Sequence, residues 1–312
     1  YREGKPGAGL LAGWTQLQGK ELSYNNINDA ASALEAAKSL GRLRRHGSTS
    51  PRPEAPHCAA VVVKHTHPCG GAIADSLSNA VAMAIAGDPV AAYGGILAVT
   101  RIVDLAAAHV IGDPKNFFEV VVAPEFADDA LNLLRQRWAN VRLLAVGQRA
   151  EAVTASRKLE YRSVPGGMLV QERDTLASDP GTWEHRAGPK PTPVQLDAAA
   201  VLETLCKFVG SNAIVVGGPD GAGVRLMGIG SGQVDRVSAC RLAVDKAGPL
   251  AQGAIAVGDA FFPFSDGPKV LIDAGVRIVV HPGGSKRDQE TFDLCAERGV
   301  TCLTTGVRHF RH

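Results

Sequence analysis

The apolar positions of the chain fall into short unbroken runs instead of long alternating ones. CAAVVVKH, FFEVVVAP, VRLLAV, SNAIVVGG and VRIVVHPGG are β-branched stretches bounded by charge, proline or glycine, the pattern of strands buried on both faces. Gly94 to Thr100 reads as a glycine turn entering another strand. Helical segments lie between these runs. The stretch from Trp14 to Leu40 contains an Ala-rich helix that Asn28 or Asp29 is expected to cap and that ends near Gly41; Ser76 to Ala86 and Pro193 to Val209 read as two more. Strand, glycine loop and helix alternate through both halves, which predicts an α/β fold. Residues 42–57, with a charge run and three prolines, suit an exposed loop. After Gly166 to Val170, the polar, proline-bearing stretch from Glu172 to Pro193 reads as a connector between subdomains spanning 1–175 and 176–312.

Composition narrows the class. At 312 residues, with 45% hydrophobic and 21% charged positions, the chain exceeds the size at which one core tends to split into two. A formal net charge of +2 gives no global field for nucleic acid. No apolar run approaches the roughly 20 residues of a membrane span, and YREGKPGAG lacks the apolar core of a signal peptide; a cytoplasmic protein without nucleic-acid or membrane partners is expected. Six scattered cysteines suggest reduced thiols. His65, His67 and Cys69 lie close together, but a zinc deaminase also needs a Pro-Cys-x-x-Cys segment, which the sequence lacks.

Two features carry chemistry. Lys64 and His65 leave the end of an apolar strand side by side, pairing a cation with a group that titrates near neutrality. A weak amine nucleophile attacking an acyl carbon needs both, a base for its proton and a cation for the oxyanion. The loop GIGSGQVDR holds Gly228, Gly230 and Gly232 ahead of helical sequence. Such glycines either turn amides toward an anion or permit tight packing. The spacing does not complete the dinucleotide-binding G-x-G-x-x-G pattern.

Taken in order, SYNNINDAASAL, KHTHPCGGAIA, GDPVAAYGGILAV, VVVAP, GSNAIVV, GIGSGQVDRV, GDAFFPFSDG, HPGGSKRD and TGVRHFRH resemble one family, AICAR transformylase, from about Trp14 to His312 apart from the proline-rich stretch 42–57. In its relatives this domain usually accompanies IMP cyclohydrolase, an activity not expected of this chain alone. The resemblance implies duplicated cytidine-deaminase-like subdomains in a three-layer αβα arrangement, without the deaminase zinc, and a homodimer. It implies transfer of a formyl group from the co-substrate 10-formyltetrahydrofolate to AICAR, with no tightly bound metal and room for a monovalent cation. By the same resemblance His65 is the proton acceptor and Lys64 the transition-state stabiliser. Gly94, Glu119, Asn212, Arg236 (reaching across the dimer), Phe261 and Arg308 contact the ribotide; Val237, Asp266, Ser285 and Lys286 contact the folate.

Three positions depart from the family pattern. Ser265 stands where many relatives carry arginine, Gly210 where many carry lysine, and Lys286 adds a cation. The family's RYGENPHQ segment does not occur in the sequence. A rival expectation from another class is a non-catalytic paralogue that binds a purine-pathway ribotide.

Overall fold

The computed structural model describes residues 13–43, 58–147, 159–176, 178–221 and 223–312. The first elements are β1 (Thr15–Gln18), α1 (Tyr24–Gly41), β2 (Cys58–Lys64), β3 (His67–Ala74), α2 (Leu77–Ile85), α3 (Pro89–Ala92), β4 (Gly95–Val99), α4 (Leu105–Ile111), β5 (Phe118–Ala123), α5 (Asp128–Arg137) and β6 (Arg142–Ala145). Then come β7 (Leu159–Val164), β8 (Gly167–Glu172), β9 (Glu184–Ala187), α6 (Pro193–Cys206), β10 (Ile214–Asp220), β11 (Gly223–Gly230) and α7 (Arg236–Ala247). The chain continues through β12 (Ile255–Gly258), α8 (Asp266–Asp273), β13 (Ile278–His281), α9 (Asp288–Glu297) and β14 (Thr301–Thr304).

Twelve strands form one sheet in the order β1-β6-β5-β4-β2-β3-β11-β10-β12-β13-β14-β9, and β7 pairs with β8 in a separate ribbon. From the middle outward, β3 and β2 form an antiparallel hairpin, β4 runs antiparallel to β2, β5 and β6 follow in parallel, and β1 closes the edge antiparallel. The same succession of directions runs from β11 through β10, β12, β13 and β14 to β9. The two sets meet where Ile73 and Ala72 of β3 pair with Val224 and Arg225 of β11.

Alternation along each strand explains why its sequence is continuously apolar. Val61 and Val63 face one side of the sheet with residues of α1 and α6, while Ala60 and Val62 face the other with α2, α4 and α5. In the second set Val215, Val257 and Val280 join the α1 and α6 side, and Ile214, Ala256 and Val279 meet α7, α8 and α9. With helices on both faces, every second residue has an apolar neighbour in each direction. The packing is closest at the central strands. A Cβ on Gly230 of β11 would stand 1.9 Å from the Ala239 carbonyl oxygen of α7, and one on Gly228 would stand 2.2 Å from that of Ala243. The open choice for the GIGSGQ glycines is thus resolved for these two: they admit a helix.

Helix α1 starts earlier than its sequence suggested. Ser23 caps it, its Oγ accepting from Asn26 N at 3.2 Å while Ser23 N donates to Asn26 Oδ1, and this reciprocal box satisfies two end groups at once. Asn28 and Asp29 therefore lie inside the helix, and the expected cap is corrected. The connector expected from Glu172 to Pro193 includes β9, whose residues EHRA carry no apolar pattern. The exposed loop expected over 42–57 lies, beyond Leu43, outside the described residues.

Asp29 instead holds the turn between β2 and β3. Lys64 pairs with His67, so His65 and Thr66 form a two-residue loop, with φ of 54° and 66°. Such hairpins demand the left-handed region at both central positions, where asparagine and glycine are usual and other residues lose roughly 1–2 kcal/mol each. Both loop N–H groups donate to the Asp29 carboxylate, from His65 at 3.0 Å and from Thr66 at 2.8 Å. Ser32, one turn further along α1, donates to the Thr66 carbonyl at 2.8 Å. Removing these acceptors by Asp29→Ala should lower unfolding stability by about 1–3 kcal/mol in chemical denaturation. Gly230→Ala should lower it by about 3 kcal/mol, the upper range of overpacking, because the obstructing atom is helix backbone.

Candidate functional site

The sheet directions bring both groups of residues singled out by the sequence to one end of the sheet. That end collects the end of β2, the starts of β3, β4, β5 and β6, the start of β10, and the ends of β11, β12, β13 and β14. Lys64, His65, Gly94 and Glu119 lie on the first side of it. Asn212, Arg236, Phe261 and Arg308 lie on the second, with Val237, Asp266, Ser285 and Lys286 in the same loops and helix starts.

On the first side, Lys64 Nζ donates to the Tyr93 carbonyl at 2.8 Å; an ammonium has three donors, so two remain for a ligand. His65 stands exposed at the apex of the strained turn. Gly94 takes φ of 74° between Tyr93 and β4, its N–H donating to Phe117 O at 2.8 Å. The Tyr93 and Phe117 rings meet at 5.5 Å beside it. Glu119 is ion-paired with Arg142 at 2.6 Å, and Arg142 also reaches the Glu21 carbonyl. The pair fixes the direction of the Glu119 carboxylate, whose second oxygen can still accept.

The second side is built round a buried carboxylate. Asp259, fully buried after β12, receives Arg236 Nη1 at 2.7 Å and Ser211 Oγ at 2.5 Å. Arg236 Nη2 donates to Asn212 Oδ1 at 2.8 Å, so the guanidinium expected to reach across a dimer is engaged within its own chain through two of its five donors. Arg308 lies over the Phe261 ring at 5.3 Å. Asp266 opens α8 and stays exposed; Val237 is half-buried in α7. Ser285 Oγ accepts from Arg287 N at 3.1 Å, and Lys286 is exposed beside it.

A strap of residues 305–312 links the two sides. Arg311 N donates to Ser211 Oγ at 3.2 Å, and Arg311 Nη2 reaches Ser32 Oγ, the residue that holds Thr66. His67 lies under this bridge. Burial, and then the Arg311 charge, lower its pKa, so the ring is neutral and its Nδ1 accepts the Gly210 N–H at 3.2 Å. A Cβ at Gly210 would stand 2.8 Å from His67 Cε1, so a larger residue there would require the ring to shift.

Along the sheet the two sides stand well apart. β5, which carries Glu119, and β12, which precedes Phe261, are six strands apart, a span of roughly 29 Å at the usual strand spacing. Lys64 and Asn212, at β2 and β10, are closer, at roughly 14 Å. Among the described residues no group of three or more His, Cys, Asp or Glu is arranged to hold a metal, and no helix is long and apolar enough to cross a membrane. All six cysteines are unpaired.

Several residues of this end were given no place in a site from sequence: Asp29 (read only as a helix cap), Tyr93, Ser211, Asp259, His309 and Arg311. Asp259 had a signal, since an acid set in GDAFF after an apolar strand is buried only when paired. Asp29 had none beyond its helix, because its partners are backbone groups of a distant turn.

The sequence model of the AICARFT/IMPCHase bienzyme family matches residues 1–246. The chain is 41% identical over 315 aligned residues to the bifunctional purine biosynthesis protein PurH of Neisseria gonorrhoeae (strain NCCP11945), covering 100% of this chain and 55% of that protein. It is 42% identical over 304 residues to the protein of the same name from Synechococcus sp. (strain CC9902), covering 96% and 56%. The chain thus spans about half the length of the curated relatives it matches. With a family match over most of its residues and about 40% identity to these relatives across nearly all of them, the chain belongs to the AICARFT/IMPCHase bienzyme family.

Proposed function

We propose that this chain transfers the formyl group of 10-formyltetrahydrofolate to the 5-amino group of AICAR in purine biosynthesis, acting in the cytoplasm as a homodimer. The observation that carries this reading is the Lys64–His65 pair, fixed on a strained turn by Asp29 at the sheet end where the other family motifs converge. Residues in sparsely populated backbone regions persist where the surroundings over-determine them, often at functional sites.

In this reading the amine nitrogen of AICAR attacks the formyl carbon, and its proton passes to the imidazole of His65 as the new C–N bond forms. Negative charge collects on the formyl oxygen, where the remaining Lys64 donors stabilise it. The intermediate collapses by breaking the bond between the formyl carbon and the folate nitrogen, which takes up a proton and leaves as tetrahydrofolate. Tyr93 keeps the Lys64 ammonium oriented without neutralising it, since a carbonyl is an uncharged acceptor. Gly94, Glu119, Asn212, Arg236, Phe261 and Arg308 hold the ribotide; Arg308 suits its phosphate because a guanidinium offers a planar fork of donors. Val237, Asp266, Ser285 and Lys286 meet the folate, with the Asp266 carboxylate accepting from the aminopyrimidine edge. A monovalent cation remains compatible with this site.

Two observations favour a dimer. The roughly 29 Å between the Glu119 and Phe261 strands exceeds what one ribotide bridges, so a second copy would bring the first side of one chain against the second side of its partner. The β7–β8 ribbon also presents Leu159, Tyr161, Met168 and Val170 on one exposed face, and a lone two-stranded ribbon is marginal in water. The repeated succession of strand directions supports a duplicated, cytidine-deaminase-like architecture with subdomains 1–175 and 176–312.

His65→Ala and Lys64→Ala should slow folate-dependent turnover by about a hundredfold or more while leaving the AICAR dissociation constant within a few-fold, because both groups act on charge that appears only in the transition state. Arg308→Ala should weaken AICAR binding by about tenfold or more, because the phosphate charge exists before reaction. Steady-state kinetics beside calorimetric titration separates these effects. Mixing His65→Ala with Arg308→Ala protein after subunit exchange should restore about one quarter of wild-type sites, since half the dimers are mixed and each regains one intact site. No recovery in a freely exchanging mixture would refute the shared site.

A further inference from the structure

We infer that His309 is the positioning residue for Arg308: gripped between Asp174 and Glu203, its ring anchors the strap that keeps the Arg308 guanidinium over Phe261. What Arg308 binds rests on the function proposed above; the grip itself rests on the geometry alone.

The strap is tied on both sides of Arg308, by Thr305 N to the His281 carbonyl at 3.0 Å and Gly306 N to the Pro282 carbonyl at 3.1 Å before it and by Arg311 after it, and His309 is the anchor adjoining Arg308 itself. After β14 it has no regular structure, and Arg308 and Phe310 on either side of His309 are both exposed. His309 alternates inward and is buried, with Nδ1 2.5 Å from Asp174 Oδ2 and Nε2 2.5 Å from Glu203 Oε1. Its backbone N–H donates to the Asp259 backbone carbonyl at 3.0 Å, which ties the strap to the residue whose carboxylate orients Arg236. A ring that touches a carboxylate at each nitrogen cannot rotate or slide without losing a charge-assisted bond. Arg308 is therefore held from the side by its neighbour, with its own donors left for a ligand.

Both ring nitrogens can donate only in the imidazolium. Burial opposes that charge, but the hydrogen bonds to Asp174 and Glu203 and their charges outweigh it and raise the pKa to about 9. Asp174 is correspondingly held below the usual carboxylate range, despite its burial, by His309 and then Lys207. The groups facing the ring are Asp174 on the segment after β8, Glu203 on α6, and Lys207 just past the end of α6; Lys207 Nζ is 3.9 Å from Asp174 and donates to the Leu176 carbonyl, with Glu35 and Arg173 beyond it. Because the folded pKa is raised, the grip is complete below the ordinary histidine value near 6.5 and is lost as pH rises through about 9.

The test uses the whole chain with Asp174→Asn, a mild change at a partly exposed partner, beside His309→Gln. Hydrogen exchange of the strap amides is followed from pH 6 to 10 after correction for intrinsic rates, with AICAR affinity by calorimetry and turnover measured on the same samples. In the wild type, protection at His309 should fall as pH passes about 9, and the AICAR dissociation constant should rise over the same interval. Asp174→Asn should move that transition down by about one pH unit and weaken AICAR binding by about tenfold at neutral pH, with kcat at saturation within roughly twofold. A purely structural role would lower thermal stability but leave affinity unmoved, and that result overturns the inference; so does strap protection unchanged in both variants. Wild-type protein that binds AICAR without folate-dependent turnover would sink the proposed function while leaving the grip standing.

Discussion

One carboxylate holds a turn that its own residues disfavour, and the arrangement of the candidate site follows from it. Asp29 can reach the His65 and Thr66 amides only because α1 is seated against the sheet by Ala30, Ala33, Leu34 and Ala37, all buried. The small side chains bring the helix axis close enough for a short aspartate to span the gap. The turn in turn fixes where Lys64 ends and which carbonyl its ammonium meets. Ser32 on the same helix passes this placement to Arg311, Ser211 and Asp259, so the two sides of the sheet end share one frame.

That frame is polar and largely buried, and it gains orientation more than stability. An ion pair such as Asp259 with Arg236 loses much of its attraction to desolvation, but its hydrogen bonds fix both partners in one geometry. The stability comes from the apolar layers on either side of the sheet, which need only shape and volume. The division is visible in the residues themselves: valine and alanine through the strands, with acids and arginines collected at one end.

Much of the fold was legible because the strands carry their burial in their composition. A run such as CAAVVVKH is apolar throughout only if both faces are covered, and three of the helices between such runs, α1, α2 and α6, were readable as helices from their composition. The edge strands β1 and β9 were not legible, since four residues such as EHRA show no preference that survives without a partner. The start of α1 lies earlier than expected because Ser23 and Asn26 satisfy two end groups together, which a search for a single capping residue such as Asn28 or Asp29 overlooks. At the site, Lys64 and His65 announced themselves as a pair at a strand end. The residues that orient them did not, because Asp29 and Ser32 act on backbone atoms and backbone atoms leave no trace in a sequence.

The two loop residues themselves bear on how such a protein would respond to selection for heat resistance. At φ of 66° the β-branched Thr66 sits where glycine or asparagine would relieve strain. A search guided by melting temperature alone would therefore replace it early. The gain would come from removing side-chain strain at an unchanged φ, and a glycine there would leave Asp29 and Ser32 to hold the aim of His65 against a more permissive backbone. If His65 is the base of the proposed function, improving the fold at this corner and keeping that geometry pull against each other.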